Sequence, residues 1–187
     1  MNRENILRRR IKRLTWIFIL GLVISGATAI PLRAELDALA EIFHLEDKPG
    51  SQAAGVAKWL LTVREALHDT DTKYPFLAYG TDWLAFGHFA IAIAFVGALR
   101  DPVRNAWLFT FGMIACAMVV PYAFVFGALR GIPFGWRLID CSFGILGILP
   151  VWYCRKSVQE IERLERYKKT GIQPGSSLGI ASKQHTA

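Results

Sequence analysis

Five side chains of chemically useful type sit in or beside long apolar runs: Asp82, His88, Arg130, Arg137 and Asp140. Ionisable groups in such surroundings are costly, so they face a bundle interior or a water cavity and often mark a site. An imidazole beside a carboxylate can relay a proton or hold a ligand such as a quinone, and an arginine can balance the acid. His88 lies six residues beyond Asp82, about 9 Å further along a helix. At about 100° per residue it shares a face with Leu84, Ala85, Ile91 and Ala92, while Asp82 lies off that face. Asp140 shares a stripe with Gly144 and Gly147, so a His88–Asp140 meeting between two helices is sterically open. A plainer account competes with it. Arg137 and Asp140 are spaced i,i+3 and can pair with each other. Asp82 suits the start of a helix, and His88 can hydrogen-bond to a neighbouring helix.

Other chemistry finds less support. Cys116, Cys141 and Cys154 form no CxxC pair, and the segment between the first two apolar runs has no cysteine. Both facts argue against a membrane disulfide oxidoreductase. Haem held by two intramembrane histidines needs a second histidine beside His88. His44, His68, Asp69 and Asp71 match no metal spacing. The sequence holds no phosphate-binding glycine loop, no HExxH and no GxSxG. Cofactors are left unassigned.

The elements that must position these residues follow from composition. Of 187 residues, 53% are hydrophobic, against about 45–50% in soluble domains. The excess lies in four runs of very low charge, at about 14–32, 83–99, 105–129 and 138–154. Each is near the roughly 17–25 residues of a membrane span. A soluble fold would have to bury all four in one core, and a chain of this length would have little left to cover them.

The net charge of +7 is unevenly spread. Residues 1–13 hold six Lys/Arg and one acid, and residues from Arg155 onward hold seven and three. The link "RDPVRN" adds Arg100 and Arg104, whereas Arg33–Thr81 has five bases and eight acids. This is a membrane pattern rather than a nucleic-acid one. Basic loops stay on the cytoplasmic side, so both termini and the 100–105 turn belong inside and the 33–81 insertion outside. Arg130 and Arg137 are the exceptions. The basic tails should contact anionic headgroups, at about 1 kcal/mol for each Lys/Arg near the surface. A competing reading takes the first run as a signal peptide cleaved at "ATA", Ala27–Ala29. The run continues past that point and is long for such a signal, which favours an anchor.

In the insertion, Leu36, Leu39, Ile42, Phe43 and Leu45 largely fit helical spacing, and Val56, Trp59, Leu60, Val63 and Leu67 form a cleaner stripe. "DKPGSQ" between them is a turn signal, and "HDTDTKYPFLAYG" reads as a loop into the second span. Residues 155–169 read as a solvated cytoplasmic helix with Glu162–Arg166 and Glu165–Lys169 pairs. Residues 170–187 read as a disordered tail. Small residues mark packing faces: Ala90, Ala94 and Ala98 on the second span, Gly112 and Cys116 on the third, Gly144 and Gly147 on the fourth. Pro121 should kink the third span. Trp83, Trp136 and Tyr79 fit an aromatic belt.

The sequence therefore describes an all-α membrane protein: a four-transmembrane-helix bundle, residues 14–154, with two short amphipathic helices in an outer loop. Its expected partners are the bilayer and, beyond it, other membrane subunits or further copies of the chain. Two functions fit. One is a non-catalytic scaffold or accessory subunit of a membrane complex. The other is a small transporter or quinone- or redox-linked protein with a polar pocket of His88, Asp140, Arg137, Asp82 and Arg130 in the outer half.

Overall fold

A computed structural model describes residues 3–45 and 55–170. Those residues form α1 (Arg3–Ala29), α2 (Leu32–Ile42), α3 (Val56–Lys73), a 3-10 turn (Pro75–Ala78), α4 (Tyr79–Arg100), α5 (Ala106–Leu129) and α6 (Phe134–Thr170). Four helices, α1, α4 with its preceding turn, α5 and α6, are long and apolar enough to cross a membrane. At 1.5 Å per residue, the 24 residues of α5 reach about 36 Å, more than the roughly 30 Å of bilayer hydrocarbon. Only 17–22% of each apolar window is buried within the chain. The remaining surface is apolar and directed outward, as lipid requires. Aromatic side chains bracket it. Tyr79 and Trp83 are exposed at one end, their rings 5.9 Å apart. At the other, Lys156 lies 3.7 Å from the Trp152 ring and Arg10 5.0 Å from that of Tyr153. The architecture is that of an all-helical, multi-pass membrane protein.

Helix α1 sits between α4 and α6, and α6 packs along α5. Both ends of the described chain lie together on what is here termed the tail side; α2 and α3 lie on the insertion side. The α5–α6 turn on the insertion side is closed by a Schellman motif. Gly131, at φ +69°, supplies the left-handed residue, and the Ile132 and Gly131 amides donate to the Gly127 and Ala128 carbonyls. On the tail side Asn105 Nδ2 donates to the carbonyls of Gly97 and Asp101, at 3.0 and 2.9 Å, and fastens a tight α4–α5 turn.

The basic N-terminal stretch is no separate tail. From Arg3 it is already part of α1, and it runs antiparallel to the end of α6. Leu7, Ile11, Val158 and Ile161 are buried in one cluster with the spans. Lys168 Nζ donates to Glu4 at 2.8 Å, Arg8 to Glu165 at 3.3 Å, and Arg3 pairs with Glu160. The expected solvated helix at 155–169 is thus one half of a two-helix stalk, with Glu165 engaged across helices. The reason lies in spacing. Val158, Ile161 and Leu164 make a stripe on α6 that meets Leu7, Ile11 and Leu14 on α1, and burying both stripes outweighs solvating either.

Two further differences concern the insertion. The stretch expected as a loop is helical to Lys73 and enters α4 through the 3-10 turn. The "DKPGSQ" turn and most of the tail from 170 onward lie outside the described residues. Helices α2 and α3 pair antiparallel. Arg33 pairs with Asp71, while Arg64 Nε and His68 Nε2 both reach Asp37 Oδ1, at 2.6 and 2.8 Å. The hydrogen bond to His68, and then that to Arg64, holds the Asp37 carboxyl below its ordinary 3.8. A carboxyl lowered by folding contributes stability above its ordinary value and loses it as pH falls through the folded value. Acidification below about 3.8 should therefore loosen α2 from α3. Hydrogen exchange of the α2 amides, corrected for intrinsic rates, should quicken between pH 6 and pH 3, and Asp37→Asn should weaken that dependence. Equal protection at both pH values would show that the apolar contacts alone hold the hairpin.

Candidate functional site

The packed face of α4 carries Ala85, Ala92, Phe95 and Ala98, all buried. Of the small-residue ridge expected on this span, Ala90 and Ala94 are exposed and only Ala98 is covered. The face is set from α1. A Cβ at Gly26 would lie 3.0 Å from His88 Cβ and from the Phe89 ring, and 3.1 Å from the Ala85 carbonyl. Gly26 is thus what lets α4 approach, and it carries His88 onto the bundle side. Its sequence signal is the small cluster "SGATA", which overlaps the cleavage-like "ATA" and here serves helix packing.

The seam between α5 and α6 follows its expected glycines. A Cβ at Gly144 would stand 2.5 Å from the Cys116 carbonyl oxygen, and one at Gly147 2.9 Å from Cys116 Sγ. Between α4 and α5 the contacts gather on the tail side. Phe95 stacks edge-on to Phe109 at 6.2 Å, its tip fills the space at Gly112, and Asn105 holds Gly97. Phe18 of α1 lies 4.7 Å from the same Phe95 ring. Closer to the insertion side α4 and α5 part.

A cavity of about 410 Å³ fills that gap, lined by all four long helices. Phe18 and Gly112 mark its deep end, His88 and Ser25 the end closer to the insertion side, and Cys116, Gly144 and Gly147 its far wall. Its size lies within the roughly 300–1,000 Å³ of ligand pockets. The lining is apolar except for His88, Ser25 and Cys116. His88 Nδ1 stands 2.8 Å from the Leu84 carbonyl oxygen, one turn back. A carbonyl only accepts, so Nδ1 donates, and in the neutral imidazole Nε2 carries the lone pair.

The other four candidates lie elsewhere. Arg137 lays its side chain over Gly127 and donates from Nε to the Ile132 carbonyl at 2.7 Å, which locks the α5–α6 turn. Arg130 is exposed as the C-cap of α5. Asp82 is exposed in the first turn of α4, where an acid suits the helix dipole. Asp140 is half-buried. Among the described residues no hydrogen bond or ion pair joins His88 to Asp140 or Arg137 to Asp140. The cavity lining includes none of these four. The described residues hold no group of three or more His, Cys, Asp or Glu side chains suited to a metal. A second cavity, about 460 Å³, lies between α2, α3 and the start of α4, lined by Ile30, Leu67, Tyr74 and Leu77 among others. The chain matches no family model, no curated protein and no solved structure.

Proposed function

We propose that this chain is a small integral membrane protein that binds an apolar, membrane-soluble molecule between its spans. The observation that carries the reading is the cavity between α4 and the α5–α6 seam, with one oriented imidazole in an otherwise apolar wall. This develops the reading of a transporter or quinone-linked protein, with the polar pocket reduced to His88. Filling the cavity tests it. Ala115 lines the wall, and Ala115→Phe should expel a bound apolar molecule while the bundle stays folded. Native mass spectrometry from lipid nanodiscs should find such a molecule, or an added one, on the unmodified chain and not on the variant. Equal occupancy of both would sink the proposal.

The competing reading is a scaffold or accessory subunit of a larger membrane assembly. It draws on the share of each span that the chain leaves uncovered, surface that lipid or partner helices can equally cover. Copurification of a stoichiometric partner with an empty cavity would favour it.

The charge distribution supports an orientation in the cell membrane with both termini in the cytoplasm and the insertion outside. A reporter active only in the cytoplasm should work when fused after Ala187 and stay silent when inserted at Gly50. Activity at Gly50 would reverse the assignment. The purified protein should begin near Met1; a start at Ile30 would identify the first span as a cleaved signal.

A further inference from the structure

The proposed binding leaves open what kind of molecule the cavity takes, and the His88 hydrogen bond addresses that. With Nδ1 committed to the Leu84 carbonyl at 2.8 Å, the neutral ring presents an acceptor and no free donor. Among the described residues Nε2 has no hydrogen-bond partner, and it is not among the sealed, unpartnered buried atoms. The space is a cleft rather than a sealed void, since Phe143 and Leu146 on its wall are each 65% exposed; an accessible acceptor on such an apolar wall is satisfied by a donor brought by the occupant.

We infer that the cavity selects an apolar molecule bearing a single hydroxyl, whose O–H donates to His88 Nε2. The inference rests on the binding role proposed above. The cavity's polarity gives the occupant a direction. His88 and Ser25 stand at the end closer to the insertion side, with Phe143 at about the depth of His88, while the walls beyond are Phe18, Ile91 and Phe111. The hydroxyl therefore lies closer to the insertion side and the apolar body extends towards Phe95. The aromatic walls suit a ring, so a phenol fits better than an aliphatic alcohol. A quaternary amine, a carboxylate or a methyl ether brings no donor and leaves Nε2 unpaired.

Cys116 lines the same cavity and serves as the reporter. In nanodiscs, 4-hexylphenol should protect Cys116 from N-ethylmaleimide, and 4-hexylanisole, which differs only by methylation of the hydroxyl, should protect less well. Each probe is compared between His88→Leu and the unmodified chain in the same lipid, so its partitioning cancels. Half-protection by the phenol should require about tenfold more in the variant, the effect of one hydrogen bond; that by the ether should not change. His88→Gln, which keeps an acceptor oxygen, should retain most of the phenol preference even if His88→Leu fails to fold. 1-Octanol in place of the phenol tests the aromatic preference. A phenol-to-ether ratio unchanged in His88→Leu, or a phenol preference lost in His88→Gln, would overturn the hydroxyl assignment while leaving the cavity a binding site. Protection by neither probe would overturn the binding role itself.

Discussion

Gly144→Leu should lower the stability of the folded bundle by about 1–3 kcal/mol, the cost of forcing extra atoms into a packed interface. The glycine stands where α6 lies against the backbone of α5. Even a single added carbon would lie 2.5 Å from the Cys116 carbonyl oxygen and 3.0 Å from Val119 Cβ. The obstructing atom is backbone, so no rotamer change relieves it, and the two helices must separate. In a membrane this matters more than the size of the residue suggests. Lipid tails are as apolar as leucine, and helix association depends on close packing rather than on escape from water. The variant should show a lower unfolding midpoint in detergent. Gly87→Ala is the control, because a Cβ there meets nothing within 4 Å, and its midpoint should not fall. A Gly144→Leu midpoint equal to that of the unmodified chain would mean that α5 and α6 are not in close contact at this seam. Because Gly144 and Gly147 also line the cavity, the same variant should alter binding of any occupant.

The spans are legible in the sequence because four long runs of very low charge exceed what so short a chain could bury in a water-soluble core. Which side of each span faces its neighbours is legible only where one face alone carries glycine. On α6, Gly144 and Gly147 identify the seam with α5 correctly. On α4 small residues occur on both sides, and hydropathy cannot separate a lipid-facing alanine from a packed one. Ala90 and Ala94 are exposed, and Ala85 and Ala92 are buried against α1. The partner that decides between them, Gly26, is nearly sixty residues away. The stalk shows the same limit. The apolar stripes of Leu7 with Ile11 and of Val158 with Ile161 are visible in each segment, but nothing local says that they meet. His88 stands out as a polar exception in an apolar run. The cavity it lines does not, because a gap arises from where helices part. Arg130 and Arg137 attract notice by charge, while the residue that accounts for their placement is Gly131, whose left-handed backbone creates the turn that Arg137 fastens.

Phe95→Ala should be more damaging still, at about 3–5 kcal/mol for loss of a fully buried aromatic side chain. Phe95 has no exposed surface and joins three helices. Its ring lies 4.7 Å from that of Phe18 on α1 and 6.2 Å from that of Phe109 on α5, and its tip presses on the site of Gly112. Lipid reduces the solvent-transfer part of this cost, but the lost dispersion contacts remain. With the Asn105 turn, these contacts help to hold α4 to α5, so the helices should part further towards the tail side. Phe18 and Gly112 both line the cavity. Removing the ring between them should extend the cavity towards the tail side, and binding should change in a defined sense. A phenol with a longer alkyl chain, such as 4-decylphenol, should gain over 4-hexylphenol in the variant, while the hydroxyl preference at His88 stays as it was. Melting in detergent reads the first effect, and protection of Cys116 in nanodiscs reads the second. A midpoint loss with no shift in chain-length preference would mean that the space vacated by Phe95 is closed by collapse of α4 onto α5, and that the deep end of the cavity is not where the structure places it.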